Sequence, residues 1–267
     1  MILYVSDLDG TLLNNSAQIS TKSKELINES IKHGINFTIA TARTPATVVN
    51  ILDNVNINMP IVTMNGAAIY DIKKKKYLSY STIDKSYVGK IDAIIRSEGL
   101  NAFIYTIKDD HLNVYHQKLT HPYQIKFYNE RKNSKFKTFH EKDLEDNSEV
   151  LYFTIMDYNH KVESLYQKLR NYNDLYIAKY NDIYNKDICN LEIYSIKSSK
   201  ANAIKYLKQY YHFNKLITFG DNINDIPMFD ISDECYAVEN AVKELKDIAT
   251  DVIGPNTDDS VAKFIAK

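Results

Sequence analysis

Two short apolar runs, far apart in the chain, each end in a burst of carboxylates. Met1-Ile2-Leu3-Tyr4-Val5 leads into Ser6-Asp7-Leu8-Asp9-Gly10-Thr11. Lys215-Leu216-Ile217-Thr218-Phe219 leads into Gly220-Asp221-Asn222-Ile223-Asn224-Asp225. An apolar run of this length reads as a buried strand, with its acidic residues released at the C-terminal end. Open α/β sheets place their active sites at that end. Brought together in space, the two clusters make a site for a hard cation with a carboxylate nucleophile beside it.

The segments around these runs set the expected architecture. A helix is expected over 19–31, capped by Ser20 or Thr21 and stopped by Gly34. Strands follow at 35–40 and 60–64, the second ending at Asn65-Gly66, with a helix between them that carries Pro45 early and Val48, Val49, Ile51 and Leu52 along it. Repeated strand, helix and strand argues for a parallel sheet. The texture then changes. Residues 68–72 and 76–80 flank the lysine-rich turn Lys73-Lys74-Lys75-Lys76 as a hairpin, and 84–97 reads as a helix stopping near Gly99. Strands are expected at 102–106, 112–116, 136–139, 150–156 and 175–179, with a helix at 160–170. The first texture resumes with a helix from Ser199, the strand at 215–219, and alternating short elements to the end. The fold class expected is therefore α/β: a Rossmann-like core with a parallel sheet, plus an inserted α+β domain. The expected boundaries are 1–81 for the first part of the core, 82–190 for the insert and 191–267 for the second part.

Composition excludes several functions. The net charge is −1, from 33 basic and 34 acidic residues, so nothing steers the chain to nucleic acid or to anionic lipid. The N-terminus lacks a basic region followed by a long apolar core, and no stretch approaches a membrane span. A cytoplasmic protein with no membrane partner is expected, as a monomer or weak homodimer. Cys189 and Cys235 have no C-x-x-C spacing and read as buried free thiols. The 7 histidines show no zinc pattern. Phosphate-loop and dinucleotide glycine motifs are missing, so ATP and NAD have no support.

The chemistry rests on a few side chains. A carboxylate accepts a phosphoryl group if a cation shields the charge on both. A second carboxylate nearby can protonate a leaving alkoxide and later activate water. Asp7 and Asp9, two apart, would share a face on a regular strand. Asp221 and Asp225, four apart, add the oxygen ligands Mg²⁺ prefers. Thr41-Ala42-Arg43 ends the second strand; there a hydroxyl and a backbone N–H can hold phosphate oxygens, and Arg43 can reach phosphate or substrate oxygens. Asn65-Gly66 also ends a strand and equally reads as a turn. Lys200 lies near a helix start, where a cation opposes the helix dipole. Screening of Asp7 and phosphate explains it better than capping does. The expected substrate-binding set is Thr41, Ala42, Arg43, Asn65, Gly66, Lys200 and Asn224.

Taken together, the motifs Ser6-Asp7-Leu8-Asp9-Gly10-Thr11-Leu12, Thr41-Ala42-Arg43, Lys200 and Gly220-Asp221-Asn222-Ile223-Asn224-Asp225-Ile226-Pro227-Met228 come in an order that resembles the haloacid dehalogenase superfamily. Asn65-Gly66-Ala67 matches a further element of its Cof-type, sugar-phosphatase-like branch. The resemblance implies a Mg²⁺-dependent phosphatase acting on small phosphomonoesters, such as sugar phosphates, through an aspartyl-phosphate. It implies Asp7 as nucleophile, Asp9 as general acid and base, and Thr41 and Lys200 holding the phosphoryl group. It gives the metal to Asp7, the Asp9 carbonyl and Asp221, with Asp225 supporting directly or through water. It makes the insert a mobile cap. Ala201, where relatives often have glycine, is the one departure. A hexose phosphomutase and a non-catalytic phospho-ligand binder are the rival readings.

Overall fold

The computed structural model describes residues 1–182 and 185–267. The chain divides into two compact units, Met1–Ser79 with Ser199–Lys267, and Tyr80–Ser198.

The first unit begins with β1 (Ile2–Ser6), α1 (Thr21–Lys32), β2 (Asn36–Ile39), α2 (Pro45–Val48), β3 (Ile61–Thr63), β4 (Ala68–Asp71) and β5 (Lys76–Tyr80, whose last residue falls to the second unit). The second unit holds α3 (Lys85–Ser97), β6 (Ala102–Lys108), β7 (His111–His116), α4 (Pro122–Arg131), β8 (Lys137–Glu141), β9 (Val150–Tyr158), α5 (Asn159–Leu169), β10 (Leu175–Asn181) and β11 (Ile188–Ser195). The chain returns to the first unit with α6 (Lys200–Tyr210), β12 (Lys215–Gly220), α7 (Ile226–Phe229), β13 (Glu234–Val238), α8 (Lys243–Lys246), β14 (Asp251–Ile253) and α9 (Ser260–Ile265).

The main sheet of the first unit has the order β14-β13-β12-β1-β2, with every pairing parallel. Strands of a parallel sheet are covered on both faces, which is why β1 and β12 read as near-continuous apolar runs. Leu3, Val5, Leu216 and Phe219 are fully buried. Each such side chain contributes about 1.5–3 kcal/mol by leaving water. Ser20 caps α1 as expected, its hydroxyl accepting from Ser23 N at 2.9 Å.

Two elements of this unit differ from the sequence reading. β3 does not continue the parallel sheet. It pairs antiparallel with β4 in a separate sheet of order β3-β4-β5, and among the described residues its backbone pairing beside β2 is the single parallel bridge Ala40–Val62. The helix expected through Leu52 stops at Val48 and gives way to turns.

The second unit is a sheet of order β10-β11-β9-β6-β7-β8, antiparallel except for the parallel pair β7–β8. Alternate residues serve its two faces. Ile104, Phe153, Leu191 and Ile193 pack with Ile91 and Ile95 of α3 and Val162, Leu165 and Leu169 of α5. Phe103, on the other face, meets Phe127 of α4 at 4.9 Å between ring centroids. The sequence reading missed α4 and β11. β11 runs through Ser195, past the boundary expected at 190. Cys189 and Cys235 are free and buried. No helix among the described residues is long and apolar enough to cross a membrane.

Candidate active site

Register alone joins the two acidic clusters. β1 lies directly beside β12, with Ser6 opposite Phe219, and the Asp7 N–H donates to the Phe219 carbonyl at 2.9 Å. Asp7 and Gly220-Asp221 therefore leave the sheet side by side. On the other flank of β1, Ala40 N donates to Ser6 O at 2.9 Å and Thr41 N to Val62 O at 2.9 Å. Connections run in opposite directions from this point, which opens a crevice at the strand ends.

The centre of the crevice is Lys200, the first residue of α6. Ser199 caps that helix, its hydroxyl accepting from Asn202 N at 3.0 Å. The Lys200 side chain is 1% exposed, and its ammonium donates to Asp7 Oδ1 at 2.5 Å and Asp225 Oδ1 at 2.7 Å. Asp225 is also fully buried; its Oδ2 accepts from the backbone of Asp221 at 3.0 Å and of Asn222 at 3.2 Å. Both oxygens of Asp225 are thus engaged, and it fixes the cluster rather than facing outward. Carboxylate oxygens of Asp7, Asp221 and Asp225 lie within 4.8 Å of one another.

Charge in this cluster is unbalanced. Burial pushes the Asp7 carboxyl up to about 8, against the pull of Lys200 and with the help of Asp225 and Asp221. Burial, then Asp225, pushes Asp221 up to about 6. Burial works against the Lys200 charge, but the Asp225 and Asp7 carboxylates outweigh it and hold the ammonium above its usual range. Three carboxylates around one ammonium are a setting that a divalent cation neutralises. The backbone makes room for it: a Cβ on Gly10 would lie 2.3 Å from Asp221 Oδ2, so only glycine lets this carboxylate approach the Asp9-Gly10 turn. The donor set is all oxygen and fits a hard cation.

Asp9 departs from the expectation that it shares a face with Asp7. β1 ends at Ser6, and the chain turns through Gly10 at φ +81. Asp7 becomes buried, while the Asp9 side chain stays 52% exposed and pairs with Arg43. Arg43 Nε donates to Asp9 Oδ2 at 2.8 Å and Nη2 to Asp9 Oδ1 at 2.6 Å. That bond to Asp9 holds the guanidinium above its ordinary value.

Thr41 is fully buried, and its Oγ1 accepts from Arg43 N at 3.1 Å. Met64, Asn65 and Gly66 take φ of +53, +53 and +88 in succession. Such a run is strained, by roughly 1–3 kcal/mol for each non-glycine residue. It is held by Met64 N donating to Arg43 O at 2.9 Å and Asn65 N to Thr41 O at 3.1 Å. Asn65 Oδ1 is buried without a hydrogen-bond partner among the described residues. Gly66 touches the peptide that precedes Lys200: a Cβ there would sit 2.1 Å from the Ser199 carbonyl. Ala42 lies between Thr41 and Arg43 in this turn, and Asn224 is exposed in the turn before α7.

Two site residues had no role in the sequence reading. Thr11 Oγ1 donates to Asp221 Oδ1 at 3.2 Å, and Asn240 Nδ2 donates to Gly10 O at 2.7 Å. Thr11 stood inside the first motif and was open to notice. Asn240 follows β13 with no local signal.

A buried carboxylate–lysine centre at adjacent strand ends of a parallel α/β sheet defines a hydrolase of phosphatase type. The chain belongs to the haloacid dehalogenase-like hydrolase family, whose model matches residues 4–265. It is 29% identical over 288 residues to the 5-amino-6-(5-phospho-D-ribitylamino)uracil phosphatase YwtE of Bacillus subtilis, covering 97% of this chain and 95% of that protein. It is 25% identical to the phosphatase YwpJ of the same species, covering 99% of each. A haloacid dehalogenase-like hydrolase from Bacteroides thetaiotaomicron shares the fold, with a TM-score of 0.79 at 21% identity over 98% of this chain and 97% of that one.

Proposed function

We propose that the enzyme hydrolyses small phosphomonoesters with Mg²⁺, through a phosphoryl group carried on Asp7. The observation that carries this reading is the buried Asp7 carboxylate, fixed on one oxygen by Lys200 with Asp221 and Asp225 alongside. Asp7 and Asp221, with the Asp9 carbonyl, would hold the cation, and Asp225 orients Lys200. When bound, Mg²⁺ supplies positive charge that screens Asp7 from the incoming phosphate.

The residues of the chain then divide the work. Asp7 attacks phosphorus in line with the ester oxygen. The P–O bond to the leaving group breaks, and Asp9 gives that oxygen a proton. Lys200 and Thr41 hold the phosphoryl oxygens; Thr41 Oγ1 already accepts from Arg43 N, which leaves its own proton to donate. The N–H of Ala42, the turn at Asn65-Gly66 and Asn224 would supply further contacts to the phosphoryl group and the substrate. Water next attacks phosphorus, Asp9 takes its proton, and the bond to Asp7 breaks. Orthophosphate leaves and Asp7 is restored. The inserted unit, Tyr80–Ser198, carries substrate selection, since none of these groups falls within it.

The substrate class is a phosphorylated polyol or sugar, in keeping with the ribityl phosphate named for YwtE. Turnover of p-nitrophenyl phosphate and a panel of sugar phosphates, with and without EDTA, tests the reading. Asp7→Asn should abolish turnover, because an amide does not accept a phosphoryl group. Retention of more than about a tenth of the rate, or full activity in EDTA, would remove the covalent and metal proposals respectively.

A further inference from the structure

Arg43 binds the wrong partner for a residue whose only task is to hold substrate. Its backbone is pinned on both sides: its N–H donates to Thr41 Oγ1 at 3.1 Å, and its carbonyl accepts from Met64 N at 2.9 Å. Only the side chain is left to move. That side chain spends its fork on Asp9, with Nε to Oδ2 at 2.8 Å and Nη2 to Oδ1 at 2.6 Å. Both oxygens of Asp9 are therefore taken. Paired in this way, Asp9 stands apart from the group that Asp7, Asp221 and Asp225 form within 4.8 Å. Asp9 has to leave this pairing before either oxygen meets a leaving group. The fork that holds a carboxylate also fits a phosphoryl group, whose greater charge makes it the stronger competitor.

We propose that Arg43 is a positioning residue that alternates between two anions, holding Asp9 while the site is empty and passing to the phosphoryl oxygens when substrate arrives. No covalent bond changes in this step; one charge-assisted pair replaces another. The exchange frees the Asp9 carboxylate, which takes up a proton from solvent water and swings to the ester oxygen, so the acid reaches the reaction only when a phosphate ester is in place. With the fork absent, Asp9 is a half-exposed side chain with solvent rotamers open to it, and its delivery becomes imprecise. The inference rests on the acid–base role given to Asp9 above.

The test compares p-nitrophenyl phosphate, whose leaving group needs no proton, with glycerol 1-phosphate, whose alkoxide does. Arg43→Gln should raise KM for both, through the lost phosphate contact. Its kcat/KM, which ends at transfer to Asp7 and excludes the hydrolysis step both esters share, should fall about tenfold to a hundredfold more for the alkyl ester than for the aryl ester, as misplacement of a catalytic group does. In an Asp9→Asn background the same change should still raise KM but lower kcat no further, because the group it positions is gone. Arg43→Lys, which keeps the charge and loses the fork, should restore KM more than it restores kcat; it also serves if the glutamine variant folds poorly. An equal fall in kcat/KM for the two esters would overturn the inference, as would full multiplication of the two kcat losses in the double variant. Both outcomes leave the acid role of Asp9 standing. If Asp9→Asn alone lowers kcat/KM equally for both esters, the acid role fails and the inference falls with it.

Discussion

Replacing Gly66 with alanine tests whether the turn after β3 sets the position of Lys200. Two costs are separable. The first is backbone strain, since Gly66 has φ +88. A non-glycine residue in the left-handed region costs about 1–2 kcal/mol, partly offset by roughly 0.4–1 kcal/mol of lost freedom in the unfolded chain. The second is crowding: the new Cβ would lie 2.1 Å from both Ser199 C and O and 2.6 Å from Lys200 N. All three are backbone atoms, so rotation of a side chain relieves nothing, and overpacking of this kind costs about 1–3 kcal/mol or more. Gly34, after α1, supplies the control. Its φ of +94 is nearly the same, and nothing lies within 4 Å of its Cβ position. Gly34→Ala therefore carries the strain without the crowding. With about 2–4 °C of Tm per kcal/mol for a chain of this size, Gly34→Ala should lower Tm by at most a few degrees and Gly66→Ala by about 2–18 °C. The larger difference should appear in turnover. A shift of the Ser199–Lys200 peptide by about 1 Å misplaces the ammonium against Asp7 and should reduce kcat about a hundredfold, whereas Gly34→Ala leaves kcat intact. Calorimetry and p-nitrophenyl phosphate turnover on the two variants decide it. Equal Tm losses with unchanged kcat in both would show that the Gly66 contact does not locate Lys200.

Three further outcomes follow from the charges. Asp7 and Asp221 are protonated more readily in the folded, metal-free protein than in the unfolded chain, so their contribution is full below about pH 4 and is lost as pH rises through about 6 and about 8. Tm measured in EDTA should therefore decline over that window relative to Tm in Mg²⁺, and the gap should be wider at pH 8 than at pH 5; a constant gap would count against the carboxylates as ligands. Lys200→Met leaves two buried carboxylates facing each other, which should cost about 3–5 kcal/mol and be partly relieved at acid pH, as seen in urea titrations at pH 5 and 8. Lys137 is buried with its amine 5.1 Å from the Phe139 ring centroid, and burial, with Arg131, lowers its pKa to about 8. Its charge costs stability as pH falls through that value, so Lys137→Met should raise Tm more at pH 6 than at pH 9; the opposite ranking would mean that the ammonium is stabilised where it lies.

The parts of the site set by strand chemistry were open to reading, and the parts set by turns were not. β1 and β12 declare themselves as apolar runs, and the residue after each falls at the C-terminal end of its strand. Ser20 before α1 and Asp84 before α3 act as the caps their residue types suggest, Asp84 accepting from Ser86 N at 2.8 Å. The direction of Asp9 was hidden. It depends on a positive φ at the next residue and on an arginine from another strand end, neither of which the D-x-D spacing contains. α4 was hidden differently: among Pro122–Arg131 only Gln124 is buried, so no apolar stripe marks the helix, and its one signal is the proline at its start. β11 was lost because Ile188–Ser195 straddles the boundary drawn at 190. The parallel pair β7–β8 follows from α4 lying between the two strands, a consequence of a helix not foreseen.

The pairing of β1 with β12 also fixes an order of events during synthesis. β1 leaves the ribosome long before β12, its neighbour on one side, which is encoded only after the entire Tyr80–Ser198 unit. That unit is continuous in sequence and has its own core, so it is free to fold while the nascent chain still lacks β12, β13 and β14. Throughout this interval β1 presents an unpaired apolar edge, the kind of surface that invites the wrong strand. Asp7 meanwhile has neither Lys200 nor Asp221 beside it. Truncation anywhere before Asp225 therefore yields a protein without a reaction centre, however well its inserted unit folds.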